Sequence, residues 1–248
     1  MSKEYKIPII FEDDNLLVIN KPAGILVHDG KGTNTIASWL EKDYPEIQKF
    51  KWPDDNRKGI VHRLDQDTSG LLILAKNPKA LNWLQKLFKT RQIKKTYLAL
   101  VLGELAKKQG KIETFISRDR KKDRQMSRVL LLNEKEKIAR TYYKILKESQ
   151  INIGKKIFSV SYIELKPETG RTHQLRVQLK NLGHPILGDK IYSSKESRKV
   201  SKFLQISRQM LHAGALEFIR PLTNKPLSFK IKLSLDFEEI LAKISMGY

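Results

Sequence analysis

His62-Arg63-Leu64-Asp65-Gln66-Asp67-Thr68-Ser69-Gly70-Leu71-Leu72-Ile73-Leu74-Ala75-Lys76 sets a charged, turn-forming loop directly against an unbroken apolar run. Residues 70–76 read as a buried strand, because a short apolar run bounded by turn residues is covered on both faces. Thr68, Ser69 and Gly70 suit a tight turn. If residues 62–65 are extended, Arg63 and Asp65 point to one side and His62 and Leu64 to the other. A loop fixed to a rigid strand is a common seat of function. An Arg–Asp surface pair ahead of a strand fits the same residues equally well.

Upstream, residues 7–11 and 16–20 read as strands split by the turn-rich Glu12-Asp13-Asp14-Asn15, and Lys21-Pro22-Ala23-Gly24 breaks the second. Residues 35–44 have helical spacing, with Ile36, Trp39 and Leu40 facing a core. The polar stretch 45–58 reads as a loop. Downstream, Asn77-Pro78 is a helix start, and Leu81, Leu84, Leu87 and Phe88 share one face. Lys86, Lys89, Arg91, Lys94 and Lys95 make its other face and end basic. Strands are expected over 96–102, 138–146 and 157–165, and a helix over 172–182 with Thr172 as N-cap and Gly183 at C′. A strand pair over 210–219 and 227–233 and a helix over 236–244 close the chain. Strands and helices mix without βαβ alternation, which favours an α+β fold over a doubly wound one. No linker divides the chain, so one domain over 1–248 is expected.

Lys and Arg number 48 against 27 Asp and Glu, a formal charge of +21 over 248 residues. Phosphate backbones are the usual partners of such a surface, because binding them releases condensed counterions. A lysine-rich surface kept for solubility is the plainer reading. The absence of cysteine excludes disulfides, thiolate metal sites and a Cys nucleophile. The polar start Met1-Ser2-Lys3-Glu4-Tyr5-Lys6 lacks a following apolar run, and the longest apolar runs fall short of a bilayer span. A cytoplasmic protein without membrane contact is therefore expected. Neither a P-loop nor a dinucleotide fingerprint is present. The five histidines show no zinc-ligand spacing, so no metal is expected.

The stretch His62-Arg63-Leu64-Asp65-x-x-Thr68-Ser69-Gly70-Leu71 resembles the central motif of the RluA family of RNA pseudouridine synthases. Lys21-Pro22-Ala23-Gly24 with Val27-His28 resembles that family's first motif. Lys95-Thr96-Tyr97-Leu98-Ala99-Leu100-Val101 resembles its tyrosine strand. Glu168-Thr169-Gly170-Arg171-Thr172-His173-Gln174-Leu175-Arg176 resembles its third motif. Gly183-His184-Pro185-Ile186-Leu187-Gly188-Asp189 follows as in the family, and Leu211-His212-Ala213 with Pro221-Leu222-Thr223 resembles its closing segment. The matches keep family order from about residue 9 to 229. Two departures stand out. Gln178 occupies a position where the family usually has His, and the first motif lies too near Met1 to leave room for an S4 RNA-binding module.

The resemblance implies a single catalytic domain with a mixed, mainly antiparallel sheet flanked by helices. It implies isomerisation of selected uridines in rRNA or tRNA without a cofactor, and a monomer is the default expectation. Asp65 takes the place of the catalytic carboxylate, Arg176 of its cationic partner, and Tyr97 of an aromatic against the uracil. Arg63 is the candidate to fill the gap left by a flipped base. His62, Leu175 and Arg171 are further substrate-facing candidates. Arg118, Arg120, Lys121, Lys122 and Arg124 resemble a loop with which relatives grip RNA.

Two rivals remain at this stage. A glycosylase cutting the same bond generally needs two placed carboxylates, and Asp65 with Asp67 makes a poor pair. A non-catalytic RNA-binding or ribosome-assembly protein could use the same fold, since fold alone does not establish activity.

Overall fold

A computed structural model of the chain describes residues 6–28, 34–118, 126–129, 137–221 and 223–245. The chain groups into two compact units, the first comprising Met1–Lys94 with Ala213–Lys232 and the second Lys95–His212 with Leu233–Tyr248. Both are α+β, and the strand registers described below are antiparallel.

The first unit holds β1 (Ile9–Glu12), β2 (Leu16–Lys21), α1 (Ile36–Asp43), β3 (Ser69–Ala75), α2 (Pro78–Lys89), most of β9 (Leu211–Ile219) and β10 (Pro226–Lys230). Its strands run in the order β1-β2-β3-β9, with β10 on β9. Every residue of β3 is buried, as its continuous apolar run requires. Asn77 caps α2 by accepting from the Ala80 N–H, and Pro78 stands where its missing N–H costs nothing. Ala80, Leu81, Leu84 and Leu87 are the buried stripe of α2. Thr35 and Ser38 form a reciprocal capping box on α1. The stretch expected as loop contains two short 3-10 turns, Pro45–Lys49 and Asp55–Arg57.

The second unit holds β4 (Lys94–Leu102, from Lys95 on), β5 (Gln109–Arg118), β6 (Met126–Val129), β7 (Lys137–Ile153), β8 (Lys156–Pro167), α3 (Gln174–Asn181), α4 (Lys195–Phe203) and α5 (Leu235–Ser245). Its strands run β4-β8-β7-β5-β6. Ala99, Leu100, Val101, Ile163, Leu165, Leu175, Leu179, Ile186, Leu187 and Phe237 are among the residues of its core. Pro185 and Leu187 thread the 184–189 segment onto β4: the Leu102 N–H donates to Pro185 O at 3.0 Å and the Leu187 N–H to Leu100 O at 2.9 Å.

One local expectation is corrected. Thr172 is not the N-cap of α3; His173 is, in the left-handed conformation at φ 53° and without a side-chain cap bond. Helix α4 was not anticipated. The other end of α3 behaves as expected: Gly183 takes φ 90°. Its N–H reaches Lys180 O at 3.1 Å and that of His184 reaches Leu179 O at 2.9 Å, a Schellman closure.

Candidate active site

In the first unit, Asp65 opens a β-turn. Its carbonyl accepts from the Thr68 N–H at 3.1 Å, and β3 begins immediately afterwards. Leu64 is buried and anchors the loop, whereas Arg63 is exposed and Asp65 half-buried. That alternation agrees with the extended reading of residues 62–65.

The turn is clamped from below by the end of β2. Lys21 is fully buried, and its ammonium donates to Pro22 O at 2.7 Å, Ile25 O at 2.8 Å and Gln66 O at 2.9 Å. The Gly24 N–H also donates to Gln66 O at 2.9 Å, and Gln66 Nε2 returns a bond to Gly24 O at 3.0 Å. The first and central motifs are thereby tied together next to Asp65. Lys21 carries no role in the sequence reading beyond a strand break. A lysine one residue beyond the four apolar strand residues Leu16-Leu17-Val18-Ile19 is the local signal that it continues into the core.

His62 acts as a brace for β3. Its Nε2 accepts from the Ile73 N–H at 3.0 Å, and its ring stacks on Phe88 with centroids 4.5 Å apart. His62 and Arg63 also line a cavity of about 290 Å³ with His28, Arg57, Ile60 and Leu81. Gly70 sits at φ 117°, and a Cβ there would stand 2.3 Å from Ala213 O. Only glycine permits that approach.

In the second unit, Tyr97 is half-buried on β4, opposite Leu165 of β8. Leu175 is buried and belongs to the core, so its packing role is the one visible here. Arg176 is buried, and Asp189 grips its fork: Nε donates to Oδ2 at 2.7 Å and Nη2 to Oδ1 at 2.9 Å. The guanidinium also lies 5.0 Å from the ring centre of Tyr192, whose hydroxyl is 2.9 Å from His173 Nδ1. Burial alone would raise the pKa of Asp189. The bonds and charge of Arg176, with the N–H groups of Tyr192 and Ile191, outweigh it and hold the carboxyl below its ordinary value. The sequence reading assigned no role to Asp189 or Tyr192, which lie 13 and 16 residues beyond Arg176 with no local pattern to join them.

A buried polar chain fixes the segment leading into α3. Thr169 Oγ1 donates to Gln174 Oε1 at 2.7 Å, and Gln174 Nε2 donates to Arg140 O and Thr141 Oγ1, both at 3.0 Å. Thr141 Oγ1 donates to Gln178 Oε1 at 2.7 Å. Gln178 Nε2 then reaches Ala139 O at 3.1 Å and Thr114 Oγ1 at 3.2 Å. Gln178 is therefore a structural member of this chain, which accounts for a polar residue at this buried position.

Arg171 is half-buried ahead of α3. Arg118 closes β5, its backbone opposite Met126, while Arg120, Lys121, Lys122 and Arg124 lie outside the described residues. Among the described residues no group of His, Asp and Glu is arranged to hold a metal ion, and no helix is long and apolar enough to cross a membrane.

Comparison with known proteins gives a consistent picture. Residues 15–181 match the family model described as RNA pseudouridylate synthase. An uncharacterized RNA pseudouridine synthase of Chlorobaculum parvum is 40% identical, over 98% of this chain and 75% of its own length. Ribosomal large subunit pseudouridine synthase D of Borreliella burgdorferi is 38% identical, over 92% and 68%. Among solved structures, human RNA pseudouridylate synthase domain containing 1 superposes with a TM-score of 0.72 at 29% identity, covering 94% of this chain and 86% of that one.

Proposed function

The chain belongs to the RNA pseudouridylate synthase family, and from that premise we propose how it isomerises uridine in RNA and which residues do so. The reaction breaks the C1′–N1 bond, turns the uracil and rejoins it through C5, consuming neither a redox equivalent nor a nucleotide. Asp65 is the catalytic carboxylate. The observation that carries this assignment is the clamp of Lys21, Gly24 and Gln66, which fixes the turn bearing Asp65 before any substrate arrives. Such prior fixing of a reacting group is what lowers an activation barrier without cost at the moment of reaction.

Arg176, by its place in the third motif, supplies the positive charge that favours the ionised carboxylate. Tyr97 offers its ring to the uracil and its hydroxyl to proton transfer at C5. Arg63, exposed ahead of Asp65, fills the stack when the uridine flips out, a step costing a few kcal/mol. The two compact units act as one catalytic domain, a reading supported by a family match that runs across their division at Lys94. Large-subunit rRNA is the favoured substrate, because several relatives carry that designation. We assign no cofactor, a monomeric state and a cytoplasmic location.

The test is tritium release from C5-labelled uridine in RNA from cells lacking this gene. The intact protein should release tritium, because C5–H becomes exchangeable when the new bond forms there, and Asp65→Asn should release none. Free uracil in place of tritiated water would instead indicate a glycosylase. Tight binding with no release from naked RNA, ribosomal subunits or their precursors would leave a binding protein.

A further inference from the structure

The segment leading into α3 is locked by the polar chain from Thr169 to Gln178, yet among the described residues the Lys95 ammonium and Arg171 Nε beside it have no acceptor. Lys95 is half-buried on β4. A Cβ built on Gly170 would stand 3.5 Å from Lys95 Nζ, so the ammonium lies against this glycine. Among the described residues no carboxylate, carbonyl or hydroxyl bonds to it. Arg171, the next residue along, has its Nε buried without a hydrogen-bond partner.

Enclosed cations are ordinarily paired, because removing charge from water is costly. Burial lowers the pKa of Lys95 to about 8, with no neighbouring carboxylate to offset it. No acceptor for them stands among the described residues, so the site is open to one supplied by a ligand. It must be anionic, present several oxygens and reach a site beside a bare glycine backbone. A phosphodiester meets all three conditions: Arg engages its oxygens as a fork and Lys as a point charge.

We propose that Lys95 and Arg171, flanking Gly170, form a phosphodiester-binding site for the RNA strand that carries the target uridine; the proposal rests on the function given above. Gly170 leaves bare backbone beside the ammonium, where an added Cβ would come into van der Waals contact with it.

The experiment compares the intact protein with Lys95→Met, Lys95→Arg and Arg171→Gln. It reads thermal unfolding of the free protein at neutral pH and binding to deproteinised large-subunit rRNA from cells lacking the gene, across a range of KCl concentrations. Lys95→Met should melt at a higher temperature, since an uncompensated charge has gone. It should bind RNA roughly tenfold more weakly, the size of one charge-assisted hydrogen bond. Its plot of log affinity against log salt should be shallower by about 0.7 to 0.9. Arg171→Gln should flatten the plot similarly, and Lys95→Arg should retain most of the affinity. A lower melting temperature for Lys95→Met, or unchanged affinity and slope in both neutral variants, overturns the site while leaving the synthase reading intact. An intact protein that neither binds RNA nor releases tritium overturns both.

Discussion

Asp189 holds Arg176 through two charge-assisted bonds in a place where neither side chain reaches water appreciably. Removing one partner strands the other, so Asp189→Ala should destabilise the protein by about 3–5 kcal/mol in denaturant titration. The pH dependence has a defined sign. Because the folded pKa of Asp189 is lowered, its stabilisation is present above the ordinary aspartate value and lost as pH falls through the folded one. Asp189→Asn should remove that acid limb from a plot of stability against pH; an unchanged limb would show that other carboxylates produce it. Lys95 gives a slope of the same sign at higher pH, through an uncompensated charge rather than a bond. Its folded pKa of about 8 lies below the ordinary 10.5, so between these values the unfolded chain binds more protons and stability should rise with pH. Lys95→Met should flatten that rise. Of these residues, Asp65, Tyr97 and Arg176 stand in motifs that the sequence displays. Asp189, Tyr192 and Lys21 had no such visibility as partners, because their roles arise from contacts that chain folding alone creates.

Elements were legible where apolar spacing and caps agreed. β3 and α2 follow directly from an unbroken apolar run and from Asn77-Pro78. Helix α4 escaped because Lys195–Phe203 has few apolar residues, burying only Ser197, Val200 and Ser201, though Ser194 with Ser197 forms a capping box. The start of α3 was misplaced for a related reason. Thr172 has the residue type of a cap, but the polar chain through Gln174 turns the backbone at His173. Breaking that chain should be costly: Gln178→Leu leaves buried partners unsatisfied and should lower stability by about 1–3 kcal/mol. Gly70→Ala tests a second element. The added methyl meets the Ala213 backbone at a left-handed φ, so a loss of about 3 kcal/mol or more is expected. Wild-type stability in that variant would mean that β3 has freedom to shift.

At the scale of the whole chain, +21 formal charges repel one another in the folded state. Moderate salt or a polyanion should therefore raise the melting temperature; a fall would mean that local ion pairs outweigh the global field. The same charge draws RNA from a distance without selecting a uridine, since phosphate contacts position and base contacts specify. The family match accordingly fixes the class of reaction, while charge alone leaves the choice of target base to specific contacts.

The ammonium of Lys21 also has a use in the laboratory. Its three carbonyl partners close it off from amine-reactive reagents for as long as the loop bearing Gln66 stays seated. Labelling at this one position would record openings of the turn that bears Asp65. The rate at which Lys21 takes up a reagent, with and without RNA, is thus a clock for how often the site undoes itself.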